Sequence, residues 1–270
     1  MPRLACISTA ALLIAACSGG PAATSSTGPP ATPPPTTAAT ATVAPPPTPT
    51  AVPTNAAGVR TCPSSSEGAE KPCLLEAGTY ATAFQTPGLT YTVPDPGWSS
   101  LDREVSPGNF HLFPPGASMA GFNAGSSDVI TVIASGVAPG TCTGAPSTMY
   151  PATFDGLLAF LKADPDITIS GLKDESVGGL DGKVLDIAYA KSDGCVDGAY
   201  ADLYVGVGRS HGQFAIPPQT SSIRLYLLHV PGNDKALVIE VDDAKGGGSD
   251  YDDTWATVSR QVVDSFVFAP

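Results

Sequence analysis

The chain has 270 residues, among them 29 glycines and 28 prolines, and a formal net charge of −12. That charge repels polyanions, so nucleic acid and anionic lipid surfaces are poor electrostatic partners. Gly, Pro or a charge breaks every apolar run well short of the roughly 20 residues that a membrane-spanning helix needs, so no such helix is expected.

Arg3 followed by the apolar stretch Leu4 to Ala16 reads as an export signal, too short to span a bilayer. The stretch ends in Ile14-Ala15-Ala16-Cys17, which resembles the lipobox of bacterial lipoproteins. The resemblance implies a signal peptide over 1–16 and a diacylglyceryl group, palmitate among its acyl chains, on the thiol of Cys17. It also implies an exported protein anchored by lipid to the outer face of the cytoplasmic membrane, in the cell envelope. Two acyl chains hold a protein firmly where one binds only marginally. Cys6 lies inside the apolar run and is expected to leave with it.

Residues 17–57 are almost entirely Pro, Thr, Ala, Ser and Gly, with no charge until Arg60. Such a stretch buries too little apolar surface to offset its ordering entropy, and its prolines oppose helix and ladder alike. A disordered, semi-extended tether is expected, reaching up to roughly 100 Å at about 3.1 Å per residue.

Residues 58–270 suit one globular domain with a real core. Export leaves Cys62, Cys73, Cys142 and Cys195, and an even count in an oxidising compartment predicts two disulfides. Three pairings are open. Cys62–Cys73 and Cys142–Cys195 are favoured, the first closing a short polar loop and the second joining two glycine-flanked loops. A cysteine metal site lacks Cys-x-x-Cys spacing and nearby histidines.

Strand patterns come first in the domain: Tyr80, Thr82 and Phe84 alternate, as do residues in Leu89 to Val93, and Phe110 to Phe113 and Val129 to Ala134 are short apolar runs. Phe154, Leu157, Leu158 and Leu161 then recur at helical period, with Thr153 as N-cap and Pro165 as the stop. Strands follow at Ile167 to Ser170, Lys183 to Ala190, Arg224 to Val230 and Ala236 to Val241. The last two flank the hairpin signal Pro231-Gly232-Asn233-Asp234. A second helix carries Trp255, Val258 and Val262 on one stripe with Ser249 as N-cap, and Phe266 to Phe268 closes the chain as a strand. This order predicts an α+β fold, a mostly antiparallel sheet with helices packed on it.

Leu89-Thr-Tyr-Thr-Val-Pro with Gly97-Trp98, Val177-Gly-Gly-Leu-Asp-Gly-Lys-Val-Leu-Asp, Leu225-Tyr-Leu-Leu and Val263-Asp-Ser-Phe-Val-Phe together resemble a family of secreted bacterial domains with the PsbP/Mog1-like layered sandwich. The resemblance implies that fold and an envelope address. It implies no activity and supplies no catalytic residues.

Chemistry-bearing motifs are sparse. Gly208-Arg-Ser210-His211-Gly212 has the spacing of a nucleophile elbow, but that device needs a helix after the serine, and Gln213-Phe-Ala-Ile-Pro-Pro is a poor helix start. The acidic set Asp242, Asp243, Asp250, Asp252 and Asp253 reads chiefly as carboxylates around the start of the last helix, where its dipole favours them. Calcium on Asp250, Asp252 and Asp253 is the lesser reading, for want of EF-hand spacing. Trp98 and Trp255 read as core, and His111, His211 and His229 are scattered. No cofactor is expected. The expectation is a non-catalytic binding or scaffolding domain whose partner is an envelope protein or a small hydrophobic ligand. A carrier of a hydrophobic envelope molecule is the alternative, and a serine hydrolase the weaker one.

Overall fold

The protein was analysed as a computed structural model that describes residues 52–64, 71–103, 108–118, 120–121, 127–134, 137–139, 149–165, 167–189, 201–206, 213–216, 222–243 and 253–269. All of these fall in the second of two units, Met1–Pro49 and Thr50–Pro270. The elements run β1 (Arg60–Thr61), β2 (Cys73–Leu75), β3 (Gly78–Ala81), β4 (Leu89–Val93), β5 (Trp98–Asp102), β6 (Asn109–Phe113), β7 (Val129–Ile133) and β8 (Val137–Pro139). Then come α1 (Phe154–Ala163), β9 (Ile167–Val177), β10 (Leu180–Tyr189), β11 (Ala201–Gly206), β12 (Gln213–Ile216), β13 (Ser222–His229), β14 (Ala236–Asp243), α2 (Asp253–Asp264) and β15 (Val267–Phe268).

Eight strands form an antiparallel sheet in the order β2-β5-β6-β7-β14-β13-β10-β9. A four-stranded sheet has the order β1-β3-β4-β15, and a three-stranded one β12-β11-β8. The expected α+β fold, and with it the PsbP/Mog1-like layering, is therefore corrected: the described residues form fifteen strands and only two longer helices, and sheets stack on sheets. The early alternating segments do not extend the main sheet. Tyr80 pairs with Tyr91, and Leu89 with Phe268, so β3, β4 and β15 satisfy one another's backbone and stand as a separate layer. Alternation reports that a strand has one buried face; it does not report which sheet lies beneath.

The central strands of the large sheet are buried on both faces. Toward the four-stranded sheet, Phe110, Ile130, Val132, Tyr226, Leu228 and Ile239 meet Tyr80, Leu89, Tyr91 and Val93, with Trp255, Val262 and Val263 of α2 in the same cluster. On the opposite face Leu185, Leu225, Leu227 and Val238 meet Phe154, Leu157, Leu158 and Leu161 of α1. α1 forms as its sequence dictates: the Thr153 hydroxyl accepts from the Gly156 amide at 3.1 Å, and the helix ends at Ala163, just ahead of Pro165. The β9–β10 hairpin turns through Gly178 and Gly179, with φ of 61° and 86°, in the left-handed region that glycine enters freely.

Candidate functional site

Two places combine polar or accessible chemistry with a defined geometry. The first is a groove of about 360 Å³ lined by Val52, Pro53, Arg60, Cys62, Leu74 and Tyr80 among others. Its floor is built where the edges of the two sheets meet. Cys62 directly follows β1 of the smaller sheet, Cys73 opens β2 of the larger, and a disulfide joins them with the Cα atoms 5.8 Å apart. Ser64 holds the same segment against β5. Its amide donates to the Asp102 carbonyl at 2.9 Å, its hydroxyl donates to the Ser100 carbonyl at 2.9 Å, and the Asp102 amide donates back to it at 3.0 Å. The outer rim comes from the approaching chain: the Thr61 amide donates to the Pro53 carbonyl at 2.8 Å, and Thr54 bridges Arg60.

The groove is mostly apolar, with two charged residues, Arg60 and Glu76, on its lining. The Arg60 guanidinium lies over the Tyr80 ring, 4.4 Å from its centroid, and donates to the Ala77 carbonyl at 3.2 Å. The Tyr80 hydroxyl is spent on the backbone of Glu76, donating to its carbonyl at 3.0 Å and accepting from its amide at 3.1 Å. Leu74 and Val52 stand 80% and 56% exposed, a poor use of large apolar side chains unless something covers them. None of the lining residues is a histidine or a free thiol. The arrangement can bind an apolar group and orient it by a charge; it offers no activated nucleophile.

The second place is a polar strip on the α1-facing side of the large sheet. Cross-strand register sets Leu225, Glu240, Thr131, His111 and Leu101 in one row across β13, β14, β7, β6 and β5. The neighbouring row is Ile223, Asp242, Val129. Glu240 and Asp242 are 5% and 7% exposed, and the Oδ2 atom of Asp242 has no hydrogen-bond partner. Burial first, then the charge of Asp242, holds Glu240 far above the usual carboxylate range. Burial likewise pushes Asp242 up to about 7, with the proximity of Glu240 working against it and the charge of Asp128 adding to it. His111 Nδ1 lies 3.0 Å from Thr131 Oγ1.

The sequence reading did not find this pair. The signal was nonetheless present in Ala236-Leu-Val-Ile-Glu-Val, where a carboxylate interrupts an apolar strand with no free face to point from.

The expected disulfide Cys62–Cys73 is formed. Cys17, Cys142, Cys195, Ser210, His211, Asp250 and Asp252 lie outside the described residues, and Asp253 is the first residue of α2. The described residues contain no group of three or more His, Cys, Asp or Glu placed to hold a metal. Gly208 to Gly212 falls between β11 and β12, which pair antiparallel, so the segment is followed by a strand where an elbow requires a helix. Trp98 and Trp255 are buried against each other, ring centroids 6.2 Å apart. His229 is exposed and stacks on Phe154 at 3.7 Å. No protein-family model matches the chain, and no curated protein matches it.

Proposed function

We propose that this chain is an exported lipoprotein, held by a diacylglyceryl group on Cys17 to the outer face of the cytoplasmic membrane, whose globular domain binds a partner and does not convert it. The lipobox and the Pro/Thr tether support the address. The disulfide-floored groove supports the binding role: its walls are mostly apolar, its Arg60 cation is fixed beside an aromatic ring, and two large apolar side chains project beside it. Such a site suits an apolar group carried on a protein segment or a small molecule with a nearby anion.

The address is tested by metabolic labelling with an alkynyl fatty acid: label is expected on the natural chain and lost in Cys17→Ser. Label that survives this change would refute anchoring at Cys17. Binding is tested by thermal unfolding against a panel of envelope glycans, lipids and apolar peptides. A ligand at 100 times its dissociation constant adds about 2.7 kcal/mol to stability. A shift that Leu74→Asp removes supports the groove, and a shift that Leu74→Asp leaves intact places the ligand elsewhere.

The carrier reading has one observation in its favour, a second apolar groove of about 290 Å³ lined by Pro87, Leu180, Val230, Pro231 and Phe268. A hydrophobic molecule co-purifying from the native host and seen by native mass spectrometry would support it.

A further inference from the structure

We propose that the disulfide-floored groove selects single-chain amphiphiles with a carboxylate head and that Arg60 reads the head, a selection that rests on the binding role given to that groove. Charge gives the first indication. The chain carries 25 aspartates and glutamates against 13 lysines and arginines, so its cations have carboxylates to spare. Arg224 takes Asp186, and Arg260 takes Glu175 and Asp264. Arg60 departs from that pattern. Its Nη2 donates to the Ala77 carbonyl at 3.2 Å and its guanidinium covers the Tyr80 ring, and no carboxylate among the described residues pairs with it.

The guanidinium is placed by the fold. Gly78, directly after Ala77, has a φ of 134°, a conformation that side chains resist. A Cβ at that position would overlap the Arg60 guanidinium, so glycine at 78 keeps the space that the cation fills. The ring beneath it and the carbonyl at one corner fix its plane. A guanidinium carries five N–H donors, and one is committed to Ala77. The others suit the two oxygens of a carboxylate, the partner that arginine's fork matches closely. A side chain held in place beforehand also loses less freedom when a ligand arrives.

Beside the cation the groove offers Val52, Pro53 and Leu74 to an apolar tail, and Leu74 and Val52 expose most of their side chains. A volume of about 360 Å³ stands at the small end of ligand pockets, which favours one chain over a folded segment of another protein. Glu76 lies on the same lining and opposes a second negative charge, so a carboxylate is preferred to a doubly charged phosphate. The net charge of −12 works against a surface bearing many anions, and far less against one carboxylate on a lone molecule.

The test uses the full chain with Cys17→Ser, oxidised and freed of lipid, titrated calorimetrically at neutral pH with decanoate and with decanol. Decanoate is expected to bind about tenfold more tightly, the scale of a hydrogen bond between charged groups. Arg60→Met is expected to bring that ratio close to one. So is Gly78→Ala, which keeps the charge but displaces the guanidinium. Equal affinities in the natural groove overturn the proposal without any variant, as does a preference that survives Arg60→Met. Tighter binding of decyltrimethylammonium would give the head to Glu76 and overturn it as well. Glu67 and Glu70, in the loop that the disulfide closes, lie outside the described residues. A decanoate preference that emerges only in Glu67→Gln/Glu70→Gln would mean that the loop neutralises Arg60 itself, which also overturns the proposal. If neither amphiphile binds while an apolar peptide still gives a shift that Leu74→Asp removes, the ligand class fails and the groove stands. With no Leu74-dependent binding of any kind, the groove fails with it.

Discussion

The indole Nε1 of Trp255 donates to the backbone carbonyl of Asp242 at 2.8 Å, tying the first turn of α2 to the end of the central acidic strand. The same ring packs beside Trp98, so one side chain joins helix, large sheet and the inter-sheet core. A tryptophan on a helical stripe was legible as core from its spacing; that its nitrogen would meet a β-strand terminus was not.

Trp255 separates the two contributions. Trp255→Phe keeps most of the packing and loses one buried hydrogen bond, leaving the Asp242 carbonyl to be satisfied otherwise. A loss of about 1 kcal/mol is expected in urea unfolding, against about 3–5 kcal/mol for Trp255→Ala. Equal losses for the two variants would mean that the bond, not the ring, anchors the helix.

Removing the disulfide tests the joint between sheets. Cys62→Ser/Cys73→Ser frees a loop of 11-residue separation and is expected to lower stability by about 3 kcal/mol. Ser64 and its bonds to Ser100 and Asp102 remain, so the variant is expected to keep its near-ultraviolet circular dichroism. Loss of that signal under native conditions would show that the disulfide is needed to position the edge.

Gly156 reverses an ordinary rule. Alanine in a helix interior is normally better than glycine by up to about 1 kcal/mol. Here an added Cβ would lie 2.1 Å from the Pro151 carbonyl oxygen and 2.7 Å from its Cγ. Gly156→Ala is therefore expected to destabilise by roughly 1–3 kcal/mol, read as a fall in the melting midpoint. A rise would show that the 149–153 segment can move aside at little cost.

The half-exposed Arg224–Asp186 pair has both guanidinium contacts, Nε to Oδ1 at 2.7 Å and Nη2 to Oδ2 at 3.1 Å. Its geometry is good, yet solvent screens it, so Arg224→Met is expected to cost no more than about 1 kcal/mol, a cost that shrinks further in high salt. A markedly larger, salt-insensitive loss would mean that the arginine stem is packed as core.

How much of this was readable in advance differs by element. α1 was readable because its cap, its apolar period and its terminating proline all agree. So was the β13–β14 hairpin, whose two apolar runs flank a turn rich in Pro, Gly and Asn. The second half of β9, Gly171 to Val177, was not: it is an exposed sheet edge with almost no buried residue to set a period. Its place is set by the backbone ladder to β10, with Lys183 meeting Asp174 across the hairpin and Arg260 reaching Glu175 at 2.9 Å from far along the chain. β1 and β2, two and three residues long, are too short to show alternation at all. The division into separate sheets was hidden for the same reason, since strand pairing is decided by neighbours that local patterning cannot name. The groove shared that fate: of its features, only the cysteine pair stood out in the sequence.

The place where the approaching chain joins the fold also has a mechanical meaning. A pull arriving along the backbone at Val52 meets the Pro53–Thr61 and Thr54–Arg60 pairing first, and then Cys62. At that residue a covalent bond passes the load sideways into β2 and the large sheet, while β1 takes the remainder in register with β3. A pull from the N-terminal side is thereby divided between two sheets within a few residues, and the disulfide ties the edge of the smaller sheet to that of the larger.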